Sequence, residues 1–159
     1  MADSRGRTVP ALCAAEVIEL AYGVGYHIRE ALRQHPDASV SQSQLRCLMF
    51  LAGPGGRTMS DTAAFLGLTL PSTSKLIDEL VRHRLVTRHA DPQDRRRAKL
   101  AITPAGRTTL RTLLGGASGE IARRLASLPA AELRVIHRAL STIAPLLAIT
   151  PVTEVARAG

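Results

Sequence analysis

Three consecutive arginines, Arg95-Arg96-Arg97, stand beside Asp91-Pro92 and Asp94 between two β-prone runs, Leu85–His89 and Ala98–Ile102. Turn residues between β-prone segments predict a hairpin with a long tip. Guanidinium forks at an exposed tip match phosphate oxygens and base edges. With only two aspartates beside them, these arginines point to a polyanion as partner.

A second set of polar residues lies just upstream. On a helical wheel of 70–84, Leu70, Thr73, Leu76, Ile77, Leu80 and Val81 share one side, and Ser72, Ser74, Lys75, Asp78, Glu79 and Arg82 the other. Near a helix N-terminus, Ser72 and Ser74 leave room for bases and can hydrogen-bond base edges or phosphate. Lys75 reaches phosphate or guanine, and Arg82, further along, backbone. Asp78 and Glu79 would repel phosphate unless one pairs with a wing arginine and fixes its direction; Asp78 is the expected partner. The apolar side is expected to dock on a short helix at 58–66 through Ala63, Phe65 and Leu66.

Other chemistries find little support. No HExxH, GxSxG, phosphate-binding loop or carboxylate pair occurs, and the five histidines (27, 35, 83, 89 and 137) are scattered, so no enzyme, metal site or cofactor is expected. Cys13 and Cys47 form neither a metal-ligand spacing nor a disulfide framework. Cys13, among Ala11, Leu12, Ala14 and Ala15, is read as a structural thiol, and Cys47 as core.

The elements that must position these residues follow from periodicity and punctuation. A 159-residue chain with 45% hydrophobic residues supports one domain with a core, or one domain plus extra helices. Its net charge of +8 agrees with an anionic partner. That charge is nearly all arginine, Lys75 and Lys99 being the only lysines, a bias that a GC-rich genome also produces. Helices are expected at 10–34, from a Ser41/Gln44 capping box to Gly53, from Thr58 to about 66, and at 70–83. A long helix should run from a Thr103 cap and Pro104 to about 128, where Pro129 breaks it, and a last one over 131–147. Gly115, Gly116 and Gly119 disturb the long helix, by a kink or by close packing against another backbone. Residues 1–9 and 150–159 are expected to be disordered tails. No apolar run approaches the roughly 20 residues of a membrane span, and the first residues lack a signal-peptide core, so a reducing cytoplasm is the default location.

Short helix, glycine turn, helix and basic hairpin have the layout of a winged helix-turn-helix. At these residues the chain resembles the MarR family (multiple antibiotic resistance regulators). DPQDRRRAKLAITPAG is similar to the family's DP-x-DRR-x-x-x-L-x-LT-x-x-G, with Ile102 in the second aliphatic place, and LPSTSKLIDELVRHRLVTR resembles its recognition helix running into the wing. The resemblance, over about 10–147, implies a mainly α fold with a small β-hairpin wing: a winged helix-turn-helix lobe at 41–103 and a helical dimerisation region at 10–34 and 104–147. It implies a homodimer on double-stranded DNA with a pseudo-palindromic operator, half-sites about 34–36 Å apart. The apolar surface on the terminal helices agrees, since it must be buried somewhere. By this resemblance Ser72, Ser74 and Lys75 read the major groove. Arg96 enters the minor groove, helped by Arg95 or Arg97, with Asp78 and Asp94 orienting the wing.

Many family members release DNA when a small aromatic acid binds between the dimerisation helices and the lobe, or when a cysteine oxidises. Tyr22, Tyr26, His27, Arg29, Arg46 and Cys47 are the candidate ligand residues, an arginine beside aromatic rings suiting an aromatic carboxylate; plain interface packing explains the same residues. The expected function is therefore a homodimeric regulator, a repressor relieved by a small aromatic or anionic ligand. The alternatives are a redox-sensing regulator using Cys13 and a sequence-tolerant basic architectural nucleic-acid-binding protein. No membrane partner is expected.

Overall fold

Hydroxyl side chains start the helices where the sequence places them. In the computed structural model, which describes residues 8–34, 40–55, 57–90 and 98–147, a capping box of Ser41 and Gln44 opens α2 (Gln42–Ala52), and one of Thr58 and Asp61 opens α3 (Met59–Leu66). Thr69 caps α4 (Leu70–Arg82), and Thr103, followed by Pro104, caps α5 (Pro104–Leu125). Each cap satisfies a backbone N–H that the first helical turn leaves without a partner. Gly67 ends α3 with φ 68°, in the left-handed region that glycine enters without a Cβ clash. Arg84 ends α4 in the same region, with φ 59°. There Leu85 N–H donates to the Leu80 carbonyl and Arg84 N–H to that of Val81, both at 2.9 Å, a Schellman closure.

The remaining helices are α1 (Val9–Gln34) and α6 (Ala130–Leu147). The strands are β1 (Arg57–Thr58), β2 (Val86–Ala90) and β3 (Ala98–Ile102), in one antiparallel sheet of order β1-β3-β2. Val86 pairs with Ile102 and Ala90 with Ala98 across the hairpin, and Arg57 pairs with Leu100 on the other edge. The sequence reading gives the hairpin but not β1, since two residues are too few to show alternation. It also carries α5 three residues too far, to 128, because Pro129 rather than Ala126 reads as the stop.

The core lies inside the lobe. Leu45, Cys47 and Leu48 of α2, Ile77 and Leu80 of α4, Val86 and Leu100 of the sheet and Leu110 and Leu113 of α5 are buried together. Gly106 permits the tightest approach: a Cβ there would stand 2.2 Å from the Leu85 carbonyl oxygen and 2.8 Å from Ile102 Cγ1. The last glycine of the sequence pattern is thus required by contact between α5 and the α4–β2 turn. Gly115 and Gly119 differ, since a Cβ at either meets nothing within 4 Å. Close packing within the described chain therefore does not explain them, and α5 runs through both.

Outside the lobe the helices are poorly covered. Ala31 is the only buried residue of α1, and α6 has none. Ile18, Leu20, Tyr22 and Tyr26 of α1 and Val135, Leu140, Leu146 and Leu147 of α6 are exposed. By length and composition α1 is apolar enough to cross a membrane. That holds for a window of 18 residues, and Glu16, Glu19 and Arg29 leave no uncharged run in α1 longer than residues 20–28. In the fold α1 lies along α5, with Ile28 and Leu32 against the core.

Candidate nucleic-acid interface

Helix α4 owes its orientation to its buried side. Thr73, Leu76, Ile77 and Leu80 are buried, so α4 turns the opposite face outward. Leu70 and Val81, expected on the apolar side, are 52% and 36% exposed, because they sit at the ends and edge of the buried stripe. Ala63 and Leu66 of α3 are buried in the α3–α4 packing as expected, whereas Phe65 turns aside to stack on Phe50, ring centroids 4.3 Å apart.

On the outward face Ser72, Lys75 and Arg82 are exposed and Ser74 is half-buried. The Thr69 hydroxyl donates to Ser72 Oγ at 3.0 Å, leaving the Ser72 proton available to an outside acceptor. Lys75 and Arg82 make no ion pair among the described residues. The two carboxylates on α4 are both held. Asp78 pairs at 2.8 Å with Arg88, on β2 of the hairpin. Glu79 accepts at 2.7 Å from the Gln44 side chain of α2. The residues 91–97 that join β2 to β3, including Asp94, Arg95, Arg96 and Arg97, lie outside the described residues.

A second concave site lies at the junction of α1 and α2. A cleft of about 480 Å³ is lined by Tyr26, Arg29, Leu32 and Arg33 of α1 and by Val40, Ser41 and Gln42. Of the six expected ligand residues, Tyr26 and Arg29 line it. Tyr22 is 79% exposed elsewhere on α1, and His27 sits edge-on to the Tyr26 ring at 5.5 Å without lining the cleft. Arg46 faces the other way, its guanidinium 5.7 Å from the Phe65 ring centroid. Cys47 is buried in the core, where desolvation pushes its thiol up to about 12. Both are corrections: α2 presents Arg46 and Cys47 to α3 and the core, not to α1. The sequence reading omits Arg33; it pairs with Glu30, whose carboxyl is held below its usual value by the Gln34 side chain first and by Arg33 second. Cys13 is exposed on α1 rather than packed among its alanine neighbours.

Two further arrangements escape the sequence. Arg57 lies over Phe50, guanidinium to centroid 4.6 Å, so that a Phe50–Phe65 stack is flanked by arginines at both ends. The Gln44–Glu79 bond joins residues 35 apart, a separation that no local signal reports. Among the described residues no group of three His, Cys, Asp or Glu side chains is placed to hold a metal.

Residues 38–97 match the family model for the MarR family. The uncharacterized HTH-type transcriptional regulator YfiV of Bacillus subtilis is 28% identical over 108 residues, 68% of this chain and 68% of its own length. The RV1404 structure from Mycobacterium tuberculosis superposes with a TM-score of 0.73 at 23% identity, covering 88% of this chain and 95% of that one. The transcriptional regulator Tm0710 of Thermotoga maritima gives 0.72 at 21% identity, covering 84% and 92%. A point mutant of Staphylococcus aureus MepR, bound to an oligodeoxyribonucleotide, gives 0.61 at 20% identity, covering 85% and 97%. These likenesses show the fold, mainly α with a small antiparallel sheet.

Proposed function

On the premise that the chain carries a MarR-family winged helix-turn-helix, we propose that it is a homodimeric, sequence-specific DNA-binding regulator of transcription. The observation that carries the reading is the outward face of α4: Ser72 and Lys75 exposed and Ser74 half-exposed near its N-terminus, with the Asp78–Arg88 pair fastening the helix to the hairpin. In this reading Ser72, Ser74 and Lys75 meet base edges in the major groove and Arg82 meets backbone. Arg96, with Arg95 or Arg97, enters the minor groove. Asp78 orients the wing through Arg88, and Asp94 orients it from the tip. The MepR mutant bound to an oligodeoxyribonucleotide shares this fold, which supports DNA as the partner.

The dimer is proposed to form through α1, α5 and α6, of which α1 and α6 carry apolar side chains that the lobe leaves uncovered. Two copies related by a two-fold axis would read a pseudo-palindromic operator. The protein would act in the cytoplasm as a repressor. It would be relieved when a small aromatic acid enters the cleft, its ring beside Tyr26 and its carboxylate on Arg29. The exposure of Cys13 favours a second reading, in which oxidation at α1 is the signal.

The test is fluorescence anisotropy on duplex DNA from the intergenic region beside its own gene, with a scrambled duplex and Arg96→Ala in parallel, across salt. The expected result is tight, salt-sensitive binding that prefers the native duplex and weakens in the variant. Equal binding to both duplexes would favour a sequence-tolerant basic protein. No binding at low salt would remove the DNA-binding reading. Benzoate added to the complex, and peroxide added with and without Cys13→Ser, then separate the two modes of relief.

A further inference from the structure

We propose that Gln44 is a positioning residue for DNA binding, holding the Glu79 carboxylate on α2 and so keeping it off the cations of α4. The inference rests on the reading of α4 as the DNA-contacting helix.

Gln44 is 5% exposed and uses both ends of its amide. Its Oε1 accepts the Ser41 N–H at 2.7 Å, and its Nε2 donates to Glu79 Oε2 at 2.7 Å. The amide is fixed in this sense, since reversal would set donor against donor at Ser41 and acceptor against carboxylate at Glu79. The Ser41 hydroxyl completes the frame by accepting the Gln44 N–H at 3.3 Å. The donor aimed at Glu79 is therefore held by the capping box that starts α2.

The consequence lies in helical spacing. Glu79 is four residues after Lys75 and three before Arg82, the two separations at which side chains on a helix meet. A released Glu79 would lie within reach of either cation. The held one pairs with neither, and both remain exposed. Asp78 is drawn off to Arg88 in the same way. The outward face of α4 thus presents its positive charge although it carries as many carboxylates, Asp78 and Glu79, as cations, Lys75 and Arg82.

The experiment is a double-mutant cycle of Gln44→Met and Glu79→Gln, read as affinity for the intergenic duplex across salt. Gln44→Met should weaken binding about three- to tenfold at 0.1 M salt and lower the salt slope by about one. Glu79→Gln alone should change affinity by less than about twofold. The double variant should return to within about twofold of wild type, because a neutral side chain has no charge to release. Glu79→Asp, one methylene too short for Gln44, leaves the α2 cap intact and should weaken binding in the same direction. It carries the test if Gln44→Met does not fold. A loss in Gln44→Met that Glu79→Gln does not rescue, equal gains from Glu79→Gln in both backgrounds, or unchanged binding by Glu79→Asp would each overturn the proposal. If wild type itself fails to bind, the DNA-binding reading falls and this inference with it; additive effects with a binding wild type remove this inference alone.

Discussion

At the scale of single residues, Gly106 and Cys47 show how position decides what a side chain costs. Glycine inside a helix is worth about 1 kcal/mol less than alanine, yet at Gly106 alanine would press against the Leu85 carbonyl oxygen and Ile102. Both neighbours are held by the fold, one of them in a hydrogen bond from the Thr103 N–H. Gly106→Ala should therefore lower stability by roughly 2–4 kcal/mol in urea melts, whereas Gly119→Ala, with open space around it, should not. Cys47 has a buried thiol raised from its ordinary 9.0 to about 12. The unfolded chain releases that proton from about pH 9, and the folded chain keeps it up to about 12. The contribution of Cys47 is thus complete below the lower value and is lost as pH climbs toward the upper one. Cys47→Val should flatten that part of the alkaline decline in stability. In native protein Cys47 should resist maleimide labelling until denaturant opens the core.

At the scale of elements, α4 and the hairpin are linked by the ion pair of Asp78 with Arg88. The pair is well exposed, Asp78 at 59% and Arg88 at 35%, so it adds little stability, roughly 0–1 kcal/mol. Its proposed role is direction, aiming β2 relative to α4. Removing a carboxylate near DNA should by charge alone raise affinity. Asp78→Ala is nevertheless expected to lower affinity several-fold and to change thermal stability by less than about 0.5 kcal/mol. Affinity unchanged or raised in that variant would show that Asp78 does not orient the wing. The caps of α2, α3, α4 and α5 were legible because each is a local pattern, a hydroxyl whose partner N–H is three residues on. β1 was not, because two residues become a strand only when β3 lies alongside.

At the scale of the molecule, the uncovered faces of α1 and α6 are the main unsatisfied feature. Ile18 is 70% exposed, Val135 68% and Leu146 80%, more large apolar side chain than a solitary chain leaves in water. Sedimentation equilibrium at micromolar concentration should give the mass of two chains, and Leu140→Asp should shift it toward one. A wild-type monomer would send attention to α1, which has the length and apolarity to enter a bilayer, and vesicle flotation would then decide.

What this sequence determined by itself was mostly local pattern, the helix caps, one glycine turn and one hairpin. The helix starts at Ser41, Thr58, Thr69 and Thr103 and the glycine turn at Gly67 rest on neighbours a few residues apart, and the two long strands pair residues 8 to 16 apart. The motif from Asp91 to Gly106 carried enough fixed positions to mark the fold class and a family resemblance. Tertiary structure alone decided which candidates meet. It separated Arg46 and Cys47 from Tyr26 and Arg29 by fixing which face of α2 looks at α1. It brought Arg33 and Ser41 to the cleft, Arg88 to Asp78 and Gln44 to Glu79. Helical periodicity states which residues share a face, but the neighbour of that face is set by how the helices pack across the core, and that depends on residues far apart in the chain.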